Sequence, residues 1–180
     1  MNVEIVRIGH PDEALLRLVC DSIANAAIGK TTFDPSFARH PERNQHHSTM
    51  LLEKLVTRFD GDVLLGITEV DLYIPILTFV FGEAELNGRA AVVSYHRLTE
   101  EFYGLPPNGE KLVDRLIKEA VHELGHVAGL VHCHDDYRCV MAASHAVEKI
   151  DVKGREFCAR CDNPERRLPA GRSAGFQPAK

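Results

Sequence analysis

Hydrophobic positions along the chain alternate between short apolar runs and helical stripes. Val3, Ile5, Val6 and Ile8 form a β-branched run bounded by Gly9 and Pro11, which predicts a buried strand over 3–9. From Asp12 to Ala27, Leu15, Leu16, Val19, Ile23 and Ala26 recur at helical spacing until Gly29 ends the pattern, so a helix is expected next. Residues 30–47 carry Pro35 and Pro41 among polar neighbours and read as a wandering loop, after which Met50, Leu51, Leu52, Leu55 and Val56 mark a second amphipathic helix.

Val63–Thr68 is another short apolar run and an expected interior strand. Beyond Pro75, the stretches 77–86 and 89–98 are both rich in β-formers and flank Asn87-Gly88, a pair suited to the positive φ angles of a tight turn; they predict a hairpin. Past the loop Pro106–Gly109, Leu112, Leu116, Ala120, Leu124 and Ala128 fall at successive i+4 steps, giving the strongest helical signal in the chain. Strand and helix alternate early and an antiparallel pair follows, so an α+β mixed sheet with helices packed on it is the economical architecture. Residues 163–180 shift to Pro, Ala, Gly, Arg and Ser without periodicity and read as a flexible tail.

With 180 residues, 44% of them hydrophobic and 26% charged, the chain supports one domain with a sizeable core and excludes long repeat arrays. A net charge of -5 supplies no basic field for a phosphate backbone, so nucleic acid is not the expected partner. No apolar run approaches the ~20 residues that span a bilayer, and the first residues lack a secretory pattern; a cytoplasmic protein without a membrane partner is expected. Ten His and five Cys concentrate toward the last third of the chain and change the picture.

On the strong helix sits His122-Glu123-Leu124-Gly125-His126. Four residues make slightly more than one turn, so both imidazoles share one face and can clamp one Zn²⁺, with Glu123 alongside. Gly129 and His132 extend the pattern to HExxHxxGxxH, whose chance occurrence at this composition is on the order of 10⁻⁴. In a continued helix His132 would lie roughly 9 Å beyond His126, out of reach of a shared ion. The chain must therefore turn, and glycine permits the left-handed conformation that ends a helix and returns His132 as a third ligand. A purely structural zinc is the competing reading, but such sites usually close with four protein ligands, whereas three leave a position for water. Zinc held by three histidines lowers the pKa of that water to about 7, and Glu123 is placed to act as general base in peptide-bond hydrolysis.

Cys133 follows His132 directly, Cys139 lies six positions on, and Cys158 and Cys161 form a Cys-x-x-Cys pair. Two pairs suggest a second, structural Cys₄ zinc site that locks the segment presenting His132, with disulfides as the competing account in an oxidising compartment. Between 133 and 161 basic and acidic residues are equal in number, which argues against a nucleic-acid zinc ribbon. Cys20, in the first helix, reads as a small buried hydrophobe.

His122 through His132, followed by Cys133, Cys139, Met141, Cys158 and Cys161, resembles the signature of the archaemetzincins, zinc metallopeptidases of the metzincin clan. Arg43-Asn44-Gln45, Phe79–Gly82, Ser94 with Arg97-Leu98, and Phe102-Tyr103-Gly104 extend the likeness over residues 1–162. The resemblance implies a metzincin-like fold: a mixed twisted sheet with backing helices, an edge strand above a cleft, an active-site helix below, and a small C-terminal lobe. It implies a catalytic domain over 1–162, divided into 1–129 and a zinc-binding 130–162. It further implies two zinc ions per chain, catalytic at His122, His126 and His132 and structural at the four cysteines, with Glu123 as base and Met141 as the hydrophobic floor under the metal.

There are two departures. Five residues separate Cys133 from Cys139 where the family pattern has four, and Ala143 stands where some other metzincins carry a tyrosine. His134, Tyr137 and His145 are close in sequence but read as surface residues. The reading is a monomeric zinc peptidase whose peptide or protein substrate lies extended along the hairpin's edge strand; the alternative is a non-catalytic, zinc-stabilised peptide-binding module.

Overall fold

The computed structural model of the protein describes residues 1–163, 165 and 176–178. Its elements run β1 (Val3–Ile8), α1 (Glu13–Ser22), β2 (Ala26–Phe33), β3 (His46–His47), α2 (Ser48–Arg58), β4 (Val63–Thr68), β5 (Leu72–Ile74), β6 (Leu77–Val80), β7 (Gly82–Glu85), β8 (Ala90–Ser94), α3 (Gly109–Val127), α4 (Val147–Val152) and β9 (Phe176–Pro178). The main sheet has the order β2-β1-β4-β8-β7-β9, and a small second sheet the order β3-β5-β6. The first four strands pair in parallel, and β7 reverses direction against β8.

The central strands β4 and β8 are buried at every position because both faces of the sheet are covered there, whereas β2 at the edge is largely exposed. Ile5, Leu65 and Val93 point into a core shared with Leu16 and Val19 of α1 and with Leu116, Ala120 and Leu124 of α3. Their neighbours Val6, Leu64 and Val92 point the other way, onto Leu51, Leu52 and Leu55 of α2. The period of two thus separates one core from the other, with the sheet between them.

Three sequence expectations are corrected. The first helix ends at Ser22 rather than Ala27: the chain turns through Asn25 at φ 58, and residues 26–33 of the expected helix end and loop become β2, parallel to β1. Ile23, Ala26 and Ile28 pack against the same core as α1. The apolar stripe therefore continues across the junction although the backbone changes. The stretch 77–98 is not one long hairpin: β6 belongs to the second sheet, and only β7 and β8 pair around the turn. Asn87 supplies its positive φ of 55, and Gly88 N–H donates to Glu85 O. The expected flexible tail over 163–180 falls mostly outside the described residues, but Phe176–Pro178 is a strand against β7. Among the described residues no helix is long and apolar enough to cross a membrane.

Candidate metal centres

α3 opens with the Asn108 side chain accepting from Lys111 N–H and carries His122, Glu123 and His126 in its last turns, all fully buried. It ends in a Schellman motif: Gly129 N–H donates to His126 O and Leu130 N–H to Gly125 O, both at 2.9 Å, with Gly129 at φ 88. The expected glycine turn is present, and it sends His132 back over the helix. The His132 ring stacks on His122 at 5.2 Å and meets His126 edge-on at 4.8 Å.

One ring nitrogen from each histidine lies within 4.8 Å of the other two, a grouping that could hold a metal ion. The tautomers are set by the backbone. His122 Nδ1 and His126 Nδ1 each lie 2.7 Å from a carbonyl, Val140 O and Leu130 O, which can only accept. Both Nδ1 atoms therefore carry the proton, leaving the Nε2 lone pairs 3.1 Å apart. Two nitrogens on one tetrahedral zinc stand about 3.3 Å from each other, so the donors fit. His132 Nε2 is buried without a hydrogen-bond partner, as an unused ligand atom would be. Burial holds all three imidazoles neutral, His122 well below the ordinary range and His126 and His132 at about 4.

Both Glu123 oxygens are likewise buried without a hydrogen-bond partner. Burial pushes this carboxyl well above its ordinary range, with Glu119 and Glu83 reinforcing the shift and Lys153 opposing it. β7 presses on it: a Cβ on Gly82 would come 2.8 Å from Glu123 Oε1. Gly125 is equally constrained, since a side chain there would collide with Met141 Sδ. Met141 is fully buried and its carbonyl accepts from Cys133 N–H. Behind this turn Lys153 Nζ pairs with Glu119 at 2.8 Å, both buried, and donates to Ala142 O, joining α3 to the segment after Met141.

The sulfurs of Cys133, Cys139, Cys158 and Cys161 also lie within 4.8 Å of one another. Cys133 Sγ and Cys158 Sγ are 3.8 Å apart, close to the separation of about 3.8 Å across a tetrahedral zinc–thiolate centre and far from a bonded disulfide. The Cys161 N–H aimed at its sulfur lowers the Cys158 thiol to about 7. The wide spacing to Cys139 is accommodated by a turn in which Cys139 N–H donates to Asp136 O. Tyr137, His134 and His145 are exposed, and Cys20 is half-buried with its thiol 3.4 Å from Ala26 O.

The upstream residues that carried no chemistry in the sequence form a brace. Arg97 grips Asp71 with two bonds of 2.6 and 2.8 Å and lies over the Phe79 and Phe102 rings. Gln45 bridges Asp71 and Thr78 O, and Arg43 also reaches Thr78 O. Together they fix β5 and β6 and hence the entry to β7. Sequence reading named Gly82 only within the family resemblance, without its contact with Glu123, and missed Lys153 and Glu119; the partners of all three lie far away along the chain.

Residues 43–167 match the model of peptidase family M54, so the chain belongs to a family of zinc metallopeptidases. More particularly, it belongs to the archaemetzincins, as the resemblance implied. It is 49% identical to an archaemetzincin of Methanocaldococcus jannaschii over 127 residues, 71% of this chain and 69% of that one. An archaemetzincin of Thermococcus kodakarensis is 40% identical over 171 residues, covering 88% and 91%. The crystal structure of the Archaeoglobus fulgidus archaemetzincin complexed with malonate superposes with a TM-score of 0.78 at 34% identity, over 91% of this chain and 99% of that one. A zinc-dependent peptidase from Methanocorpusculum labreanum gives 0.77 at 28% identity, over 89% and 97%. The α+β metzincin-like fold is thereby established.

Proposed function

We propose that the protein hydrolyses peptide bonds at the three-histidine centre, with His122, His126 and His132 as ligands of a catalytic zinc and Glu123 as general base. The observation that carries this reading is the convergence of three imidazoles, two fully buried with backbone-fixed Nε2 lone pairs and one half-buried, beside a buried carboxylate that has no hydrogen-bond partner. Zinc bound there supplies an acidified water and a Lewis acid for the substrate carbonyl.

The chain's own groups do the rest. Val140 O and Leu130 O orient two rings so that their lone pairs face the centre. Glu123 takes a proton at a carboxylate oxygen and returns it to the leaving amine. Met141 and Gly125 pack tightly beneath the motif and keep water from its underside. β7 offers outward backbone groups along which an extended peptide aligns. The four cysteines hold a second zinc that fixes the segment starting at His132, giving two ions per chain. The domain extends over 1–162, with 130–162 as its metal-bearing lobe, and the protein acts as a cytoplasmic monomer on peptides rather than on nucleic acid.

Glu123→Ala tests this. The variant is expected to keep its zinc, measured by elemental analysis, and to lose at least about 10²-fold in kcat on a peptide library read by mass spectrometry. Undiminished cleavage by the variant removes Glu123 from the reaction. Binding without cleavage by the wild-type protein favours the non-catalytic peptide-binding module.

A further inference from the structure

The outer edge of β7, where an extended substrate would align, is occupied by the chain itself. β9 runs antiparallel to β7 and pairs Phe176 with Glu85, Gln177 with Ala84 and Pro178 with Glu83. The alternation of backbone groups along β7 determines what this pairing uses. On the inner side Ser94 N–H donates to Phe81 O, and in the same register Glu83 lies opposite Val92. Phe81 and Glu83 therefore turn their backbone polar groups toward β8, while Gly82 and Ala84 turn theirs outward.

Ala84 and Gln177 thus form the hydrogen-bonding pair with β9. Pro178, which has no N–H, falls where no donor is required. A shift of one residue would place that proline where a donor is needed, so the sequence of β9 agrees with this register and disfavours its neighbours.

β7 also borders the reaction centre. Gly82 lies against Glu123, and the turn beyond β7 is tied to the end of α3 by Asn87 N–H donating to His126 O at 2.9 Å. A strand on the outer edge of β7 runs one strand spacing, about 4.8 Å, from it. β9 also lies outside residues 43–167 matched by the family model, and the Archaeoglobus fulgidus structure is matched over 99% of its length while covering 91% of this chain.

We infer that residues 176–178 are a tethered, autoinhibitory occupant of the peptide-binding edge, displaced from β7 when a peptide substrate binds. The inference rests on the peptidase reading for its effect on turnover and on the strand pairing alone for its structural part. A short strand competes because its tether keeps it at high effective concentration, and it remains displaceable because few backbone bonds hold it. Occupancy in cis reduces the fraction of binding-competent molecules, which raises KM without changing kcat.

The test uses the full zinc-loaded chain and two substitutions. Gln177→Pro removes the donor of the hydrogen-bonding pair, whereas Gln177→Ala keeps it. Hydrogen exchange at the Ala84 N–H is expected to accelerate in Gln177→Pro and to stay slow in Gln177→Ala. KM for a cleaved peptide is expected to fall on the order of three- to tenfold in Gln177→Pro alone, at constant kcat. Equal Ala84 exchange in the wild type and Gln177→Pro overturns the pairing whether or not any peptide is cleaved. Faster exchange with an unchanged KM overturns the inhibitory role. Faster exchange in a protein that cleaves nothing supports the occupancy and counts against the peptidase reading instead.

Discussion

Glu83 shows how a single buried carboxyl links α2 to β7. Its oxygens accept from Ser48 Oγ and from Thr49 Oγ1, the latter at 2.8 and 3.1 Å, and it is almost inaccessible to solvent. Burial raises its affinity for protons, with the two hydroxyls opposing the shift. An acid whose folded-state pKa lies above its unfolded value stabilises the fold in its protonated form, and that contribution is lost as pH rises past 4.5 through the raised value. Glu83→Gln keeps a group that can accept from the hydroxyls and carries no charge. Urea titrations are therefore expected to show little difference between wild type and variant near pH 4 and a more stable variant at pH 7; a stability gap that does not depend on pH contradicts this assignment. Residues of this kind were not legible in the sequence, because Ser48 and Glu83 are joined only by folding. His122, Glu123, His126 and His132 were legible because one helical turn and one glycine bring them together within eleven residues.

At the scale of elements, α3 and its ending do most to build the centre. Its apolar stripe and its glycine stop were both readable, since period and cap are local properties. The boundary between α1 and β2 was not, because Ile23, Ala26 and Ile28 serve the same core in either conformation and pairing with β1 decides between them. The division of 77–98 between two sheets was hidden for a similar reason: β-forming residues do not name their partner strand. Gly129→Ala probes the element that matters most. Alanine at φ 88 costs about 1–2 kcal/mol and displaces the return of His132. The variant is expected to unfold at lower denaturant and to bind zinc at the histidines more weakly in competition with a chelator. Unchanged values in both measurements would show that the turn does not position His132.

Across the whole molecule, a mixed sheet separates two apolar cores, and the three-histidine group lies where α3, β7 and the C-terminal lobe meet. The lobe is small: Leu130, Val140 and Met141 pack with the cysteines and supply little apolar area on their own. In the proposed reading, a zinc ion held by the four thiols adds the cohesion that so small a lobe does not gain from burial. Both clusters were readable from motif spacing, and the fold class from the alternation of strands and helices together with the family resemblance, but the pairing of β9 with β7 was not, since a three-residue segment carries no signal of the edge it joins.

The central claim is that three imidazoles share one zinc that keeps a solvent position beside Glu123, while four thiolates close around another. Anomalous diffraction at the zinc edge from crystals of the full chain tests it most directly. Two peaks are predicted, one ringed by Cys133, Cys139, Cys158 and Cys161, the other bound by His122, His126 and His132 with a solvent ligand within hydrogen-bond reach of Glu123. A single peak, or a histidine peak whose fourth position is filled by a protein side chain, would contradict the account.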